Sequence, residues 1–320
     1  MPDLIIVADD LTGALDAAAP FAALGAVVAT GPDAFQAALD YGKRIVAVST
    51  RSRECDADTA ARTVAKIMAM VPDGAALMKK VDSRLKGNIR AELRAMPGRP
   101  LLLPALPDMG RIVRDGAVQG FGVDRPIMIA DVLGPQAIAP DAATKTDIAA
   151  ALDADPGALP VGARGLAQVL AQRMGAAPTV IDLPLPGLML FAIGSQDPIT
   201  LAQIAALQAS GLDCETAPGG QVPPGGGGLV HATDIAGLPL GAVTRRFADG
   251  IASRAAAIDA LVVSGGATAE AVLDALGVHL LHVTGEALPG LPVSRDAAGR
   301  LIVTKSGGFG APDALCRLVA

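Results

Sequence analysis

Two adjacent aspartates lie near the start of the chain, directly after a short apolar run. The run, Leu4 to Ala8, is rich in branched residues, which is typical of a strand covered on both faces in a parallel sheet. Helical periodicity begins after Asp9 and Asp10, and either Asp10 or Thr12 can cap the helix. The pattern predicts strand, acidic turn and helix. Both carboxylates would then lie at the carboxyl end of the strand, where open α/β sheets bind ligands.

Two carboxylates side by side at such an edge repel each other. A cation, a substrate hydroxyl or the backbone donors of the helix start would each relieve that repulsion. The alternative is that one carboxylate only caps the helix while the other is solvated. The spacing alone leaves these two interpretations open.

Positive charges follow two further predicted strands. The segment Arg44 to Ser49 ends before an arginine-rich turn, and Ala75 to Val81 continues into a charged motif. The charged residues of the two strand ends are Arg51, Arg53, Lys79, Lys80, Asp82, Arg84 and Lys86. If these strands are parallel to the first, their charged ends meet at the edge that holds the aspartates. Arginine binds carboxylates or phosphates and aspartate accepts hydrogen bonds from hydroxyls, so the edge suits a small polyhydroxylated anion; solvated surface charge is the alternative.

The second half of the chain has three glycine or hydroxyl loops that directly follow predicted strands. They are Gly194-Ser195-Gln196-Asp197, Ser264-Gly265-Gly266-Ala267-Thr268 and Lys305-Ser306-Gly307-Gly308-Phe309-Gly310. Glycines between a strand and a helix start present backbone N–H groups and a positive dipole end, an arrangement that binds phosphate. The sequence lacks G-x-x-x-x-G-K-[ST], which excludes an ordinary P-loop. Three such loops in one half of the chain favour a nucleotide site.

The composition favours a small-molecule ligand. The 320 residues are 51% hydrophobic and 18% charged, and no run approaches the roughly 18 apolar residues of a membrane helix. Met1-Pro2-Asp3 does not resemble a signal peptide, and the three cysteines have no metal or redox spacing, so we expect a cytoplasmic protein with reduced thiols. A net charge of −6 with one Tyr, no Trp and 6 Phe argues against nucleic acid as a partner. We expect no membrane association.

Predicted strands and helices alternate along both halves of the chain, which indicates an α/β fold with mostly parallel sheets flanked by helices. Prolines between Pro178 and Gly187 mark the crossing between two predicted α/β domains, residues 1–180 and 181–320. The segment from Pro104 to Pro140 is rich in glycine and proline and has weak periodicity, so it is predicted to be loop-rich.

Taken together, these motifs resemble the four-carbon acid sugar kinases, a family long catalogued as a domain of unknown function. The segment from Ala8 to Ala14 with Asp16 looks like the amino-terminal signature of that family, and Lys79 to Asn88 looks like its second motif. The similar motifs of the remaining chain are Pro104-Ala105-Leu106-Pro107 with Gly110 and Arg111, and the three glycine loops, the last followed by Asp313. The resemblance covers nearly the whole chain.

The resemblance implies ATP-dependent phosphorylation of a four-carbon sugar acid, such as threonate, erythronate or 3-oxo-tetronate, at its terminal hydroxyl. It implies that the first domain binds the acid and the second binds ATP, with the active site in the cleft between the domains and Mg²⁺ bridging the phosphates. Asp10 would be the base or orienter of the attacking hydroxyl, and Asp9 would hold another hydroxyl or the metal shell.

The acid and the nucleotide are each assigned a set of residues on the same basis. Arg51, Lys80 and Arg84 would bind the carboxylate or the developing charge, and Asp82 a hydroxyl. The residues assigned to ATP are Ser195, Gly265, Gly266, Ala267, Thr268, Gly307 and Gly308. Apart from the alternative given for Asp9, no residue is assigned to the metal.

Two other functions stay open. A sugar-acid sensor would bind its ligand and close without chemistry, and a phosphatase would use an aspartyl nucleophile after the first strand, although the usual Asp-x-Asp spacing is absent. ADP release that depends on the acid separates the kinase from the sensor, and a trapped aspartyl-phosphate would indicate the phosphatase. The number of subunits, a homo-oligomer included, is also left open.

Overall fold

The computed structural model describes residues 1–225 and 228–319, and the chain folds into two compact units, Met1–Pro178 and Thr179–Ala320. The strands of the first unit are β1 (Leu4–Ala8), β2 (Ala26–Ala29), β3 (Ile45–Ser49), β4 (Ala76–Lys80), β5 (Pro100–Leu103), β6 (Arg111–Arg114), β7 (Ala117–Gly120), β8 (Ile127–Met128) and β9 (Leu159–Gly162). Its helices are α1 (Leu11–Ala18), α2 (Phe35–Asp40), α3 (Ala57–Met68), α4 (Ile89–Leu93), α5 (Ile129–Leu133), α6 (Lys145–Ala154) and α7 (Arg164–Arg173).

The second unit continues the alternation of strands and helices. Its strands are β10 (Met189–Ile193), β11 (Cys214–Pro218), β12 (Gly228–Thr233), β13 (Ala260–Ser264), β14 (Leu280–Leu288), β15 (Leu291–Arg295) and β16 (Leu301–Lys305). Its helices are α8 (Pro198–Ala209), α9 (Leu240–Arg254) and α10 (Gly266–Ala275). None of the helices in the described parts of the two units is long and apolar enough to cross a bilayer.

A parallel sheet with strand order β2-β3-β1-β4-β9-β5 forms the centre of the first unit. Every residue of β1, β2 and β3 is buried, since their branched apolar side chains are covered on both faces. β1 pairs with β3 and with β4, and the register places Ala8 beside both Ser49 and Lys80. The charged segments that follow these three strands therefore begin at the same edge of the sheet.

A small antiparallel sheet, β6-β7-β8, occupies part of the segment predicted to be loop-rich. That prediction was wrong for residues 111–128, because strands of four, four and two residues are too short to reveal apolar alternation in the sequence. Gly116, with φ +70°, turns the chain between β6 and β7. The sheet fixes the start of β6 and so the position of Arg111.

The sheet of the second unit has the order β11-β12-β10-β13-β16-β15-β14, parallel from β11 to β16 and antiparallel from β16 to β14. Phe191, Val262 and Val303 of its central strands are buried in one apolar cluster. Because β10, β13 and β16 are neighbours, the loops that follow them start side by side. The predicted α/β fold with mostly parallel sheets is confirmed.

Candidate active site

The aspartate pair lies where β1 ends and α1 begins. Both side chains are buried, with Asp9 0% and Asp10 7% exposed. Asp10 is the N-cap of α1, and its carboxylate accepts hydrogen bonds from the Gly13 backbone N–H at 2.9 Å and the Thr12 hydroxyl at 2.7 Å. A Cβ on Gly13 would lie 2.4 Å from Oδ1 of Asp10, so the cap requires glycine there. Asp10 thus caps the helix, but Asp9 is not solvated.

Arg53, in the turn after β3, binds both aspartates. Its Nε and Nη2 donate to the two carboxylate oxygens of Asp9, each at 2.8 Å, and its Nη1 and Nη2 donate to those of Asp10 at 2.6 and 2.9 Å. Burial lowers the pKa of Arg53, but these contacts and the charge of Asp82 raise it above the ordinary value. One guanidinium therefore neutralises much of the repulsion in the aspartate pair.

This environment shifts the pKa values of the two aspartates in opposite directions. Burial raises the pKa of Asp9, but the hydrogen bonds and charge of Arg53, with the charges of Lys79 and Lys80, outweigh burial and lower it. Burial prevails at Asp10, where repulsion from Asp9 adds to it, so the pKa of Asp10 lies above its ordinary value. Asp9 is suited to remain charged and Asp10 to take up a proton.

The two lysines at the end of β4 have different partners. Lys79 is fully buried and forms an ion pair with the equally buried Glu92 of α4, with Nζ 3.0 Å from Oε2. Lys80 donates from Nζ to the Val81 carbonyl at 3.0 Å, and within the described residues it has no carboxylate at ion-pair distance. Lys80 instead acts on the aspartate pair through its charge. The amine of Lys80 thus lies near the aspartates, whereas the amine of Lys79 is paired with Glu92.

The other residues predicted to bind the acid lie around this centre. Arg51 adopts a left-handed conformation, with φ +50°, and donates from Nε to the Thr30 carbonyl at 2.9 Å, at the end of β2. Asp82 accepts a hydrogen bond from the backbone N–H of Arg84 at 2.8 Å and so shapes the turn after β4. A binding role is predicted from the sequence for Arg51, whereas the arginine that contacts the aspartates is Arg53.

The three glycine loops of the second unit meet at neighbouring strand ends. The N–H of Gly194 donates to the Ser264 carbonyl at 3.0 Å, and the N–H of Gly265 donates to the Lys305 carbonyl at 3.1 Å. These bonds extend the strand order β10-β13-β16 into the loops. Of the predicted nucleotide residues, Ser195, Gly265, Gly307 and Gly308 lie on these loops, whereas Gly266, Ala267 and Thr268 form the first turn of α10.

Close approaches between the loops leave no room for side chains at two glycines. A Cβ on Gly194 would lie 1.9 Å from Oγ1 of Thr268, and one on Gly307 would lie 2.4 Å from Oγ of Ser195. Gly265 has φ +108°, a conformation that other residues rarely adopt. Loops of this kind expose backbone N–H groups to a ligand, and their donor chemistry fits phosphate oxygens.

Lys305 lies beneath the last of these loops, and no role was predicted for it from the sequence. Its side chain is fully buried, and Nζ donates to Oγ1 of Thr200 at 2.9 Å and to the carbonyls of Ser306 and Gly307 at 3.0 Å each. Burial lowers the pKa of Lys305 to about 8, against the opposing charge of Asp197. The signal in the sequence was its position at the start of the Lys305-to-Gly310 motif.

Comparison with known proteins identifies the family. Two family models match the chain, a sugar-binding N-terminal domain over residues 4–128 and a nucleotide-binding C-terminal domain over residues 231–315. A D-threonate kinase of Bordetella bronchiseptica is 30% identical, over 99% of this chain and 96% of its own length. The chain belongs to the four-carbon acid sugar kinase family. The family membership predicted from the motifs is confirmed.

Two further relatives extend the comparison of this four-carbon acid sugar kinase chain. A 3-oxo-tetronate kinase of Methylobacterium radiotolerans is 30% identical over 96% of both chains. The solved structure of a Haemophilus influenzae protein of the same domain of unknown function has a TM-score of 0.71 at 18% identity, with 98% of both chains covered, which supports the fold. The aspartates, Arg53 and Arg111 lie in the range matched by the sugar-binding model, and Lys305 in that of the nucleotide-binding model.

The tight loop contact at Gly307 leads to a first prediction for this kinase family member. In a Gly307→Ala variant, the new methyl group must displace the Ser195 hydroxyl or the loop, so the KM for ATP should rise about 10-fold, or about 1.4 kcal/mol. Initial rates at varied ATP measure this change. Gly241→Ala, where a Cβ would meet nothing within 4 Å, is the matched control, and an equal KM in both variants would contradict the prediction.

Proposed function

We propose that this chain transfers the terminal phosphoryl group of ATP to the terminal hydroxyl of a four-carbon sugar acid. Residues 1–180 bind the acid and residues 181–320 bind ATP. The observation that carries the proposal is the meeting of three glycine loops at neighbouring strand ends in the second unit. The names of the relatives, D-threonate kinase, 3-oxo-tetronate kinase and D-erythronate kinase, support a four-carbon acid as the substrate class.

The aspartate centre supplies the proton acceptor. Asp10 takes the proton of the terminal hydroxyl as the oxygen forms its bond to phosphorus, and the bond between that phosphorus and ADP breaks. The raised pKa of Asp10 suits it to this task, while Asp9 stays ionised and accepts a hydrogen bond from another hydroxyl of the acid. Arg53 holds both carboxylates in place, so the proton acceptor has a defined position.

The glycine loops supply the donors for the phosphates. Their backbone N–H groups and the hydroxyls of Ser195 and Thr268 hold the phosphate oxygens, and the buried ammonium of Lys305 adds positive charge beneath them. Within the described residues, no group of three or more His, Cys, Asp or Glu side chains is placed to hold a metal. Mg²⁺ that arrives with ATP would neutralise the charge that develops on the phosphates.

An ADP-release assay tests the proposed function. With Mg-ATP and a panel of threonates, erythronates and 3-oxo-tetronates, we expect release that depends on one acid, and phosphorus NMR should locate the new ester at the terminal carbon. Reactions without acid are the control for ATP hydrolysis. Binding of an acid and of ATP without ADP release would contradict the kinase and favour a sensor.

A further inference from the structure

Arg111 is a buried cation whose hydrogen-bond partners are neutral. It begins β6 and is only 5% exposed. Its Nε donates to the Phe121 carbonyl at 2.9 Å, and its Nη1 donates to the Ser83 hydroxyl at 2.5 Å. The third nitrogen, Nη2, lies beside Gly122, where a Cβ would come within 2.8 Å of it. The contacts orient the guanidinium but do not neutralise it.

A second arginine adds to the uncompensated charge. Burial lowers the pKa of Arg111, and the positive charge of the half-buried Arg84 lowers it further, against the attraction of Asp82. In residues 1–225 and 228–319, neither Arg84 nor Arg111 has a carboxylate at ion-pair distance. A buried charge without a counter-ion is costly, so this pair calls for an anion.

Two neighbouring cations at the same sheet edge already have counter-ions. Arg53 is bound by Asp9 and Asp10, and Lys79 is bound by Glu92. Ser83, the hydrogen-bond partner of Arg111, lies in the turn after β4, and this places the Arg111 guanidinium at the edge that carries the aspartates. Lys80 lies beside Asp10 and acts on the aspartate pair, so a ligand carboxylate held away from the aspartates would be attracted to Arg84 and Arg111.

We propose that Arg84 and Arg111 form the subsite for the carboxylate of the sugar acid, and that Arg111 sets the preference for acids over neutral sugar alcohols. The proposal rests on the function proposed above. Arginine presents planar donors that match a carboxylate, and the buried guanidinium of Arg111 is held ready by Ser83 and Phe121. A tetritol, in which CH₂OH replaces the carboxylate, would leave both charges uncompensated.

The test compares Arg111→Met with the matched variant Arg114→Met at the exposed end of the same strand. The quantity compared is a selectivity ratio, the kcat/KM for the preferred acid divided by the kcat/KM for the corresponding tetritol. Where turnover of the tetritol is too slow to measure, the inverse of its inhibition constant replaces its kcat/KM in this ratio. In Arg111→Met this ratio should fall about 30-fold, the equivalent of about 2 kcal/mol for a lost charge-assisted contact, and the KM for ATP should stay the same. Arg114→Met should keep the wild-type ratio.

Two results would overturn the proposal. If Arg111→Met reduces kcat/KM for the acid and the tetritol by the same factor, Arg111 only supports the loop. If Arg111→Met fails to fold, Arg84→Met, in which the Ser83 and Phe121 contacts remain, must show the lowered ratio, and an unchanged ratio there also contradicts it. A wild-type chain that phosphorylates no acid at all would instead reject the proposed kinase function, which separates the two failures.

Discussion

An Asp10→Asn variant should keep its fold and its affinity for ATP while kcat falls by about 10³-fold, the effect of removing a general base. Asparagine is as good an N-cap as aspartate, so the Gly13 hydrogen bond and α1 should be retained. The amide cannot take the proton of the substrate hydroxyl. Steady-state turnover gives kcat, and calorimetric titration with a non-hydrolysable ATP analogue gives the affinity.

The matched control is Asp56→Asn. Asp56 caps α3 with the same pair of contacts, from the Thr59 backbone N–H at 2.8 Å and the Thr59 hydroxyl at 2.7 Å, but it is exposed. Its kcat should stay within about threefold of the wild-type value, since exposed substitutions have small effects. Near-normal turnover in Asp10→Asn would remove Asp10 from the mechanism.

The aspartate pair also determines the acidic limb of the pH profile. Because burial and Asp9 raise the pKa of Asp10, the proton acceptor is lost as pH falls through that raised value. The logarithm of kcat/KM should therefore increase with pH on the acidic side, and the residual activity of Asp10→Asn should lack that limb. Because the charges of Asp9 and Asp10 interact, an Asp9 variant should shift the pH at which this acidic limb occurs.

Loss of the Lys305 ammonium should weaken ATP binding by about 10²-fold. A Lys305→Met variant removes the donor to Thr200 Oγ1 and to the Ser306 carbonyl and leaves the Gly307 carbonyl with the Thr200 hydroxyl alone; each unpaired buried group costs about 1–3 kcal/mol. The loop should relax, and the charge beneath the phosphates is lost. Calorimetric titration measures the affinity, and circular dichroism checks the fold; unchanged affinity in a folded variant would show that Lys305 does not support the site.

The pKa of about 8 at Lys305 gives opposite pH effects on activity and on stability. The ammonium is lost above that pH, so kcat/KM for ATP, which reports the free enzyme, should fall there. In the ATP-bound enzyme the phosphates stabilise the ammonium, so kcat should fall only at a higher pH. Between about 8 and the ordinary lysine value of 10.5, the unfolded chain holds a proton that the folded chain has released. The contribution of Lys305 to the free energy of unfolding therefore increases over that window.

A Lys305→Arg variant tests whether the decrease of kcat/KM for ATP at alkaline pH comes from Lys305. Its guanidinium stays charged throughout the same pH range, so the alkaline limb in kcat/KM for ATP should disappear if the variant folds. A limb that persists at the same pH in Lys305→Arg would assign it to another group. The unfolding free energy of Lys305→Met, followed from pH 7 to 10 by urea denaturation, should lack the increase with pH that Lys305 contributes.

The sequence by itself determined which strands end in polar motifs, and it determined the family to which the chain belongs. Continuous apolar runs such as Leu4–Ala8 specify buried strands, and the polar residues that follow must lie at strand ends, because a strand covered on both faces accommodates only apolar side chains. The same pattern predicted the three glycine loops. The β6-β7-β8 sheet was not predicted, because its strands are too short for a periodic signal.

Only the tertiary structure decided which charged side chains meet. In the turn after β3, the left-handed backbone of Arg51 sends its side chain to Thr30, and Arg53 binds the aspartates instead. Arg111 starts a strand of the separate small sheet but binds Ser83 in the turn after β4, and the Lys305 amine binds the carbonyl of Ser306 in its own loop. Hydrophobic patterning specifies where a strand ends, but the direction of a side chain beyond that end depends on turn dihedrals and on contacts distant in the sequence.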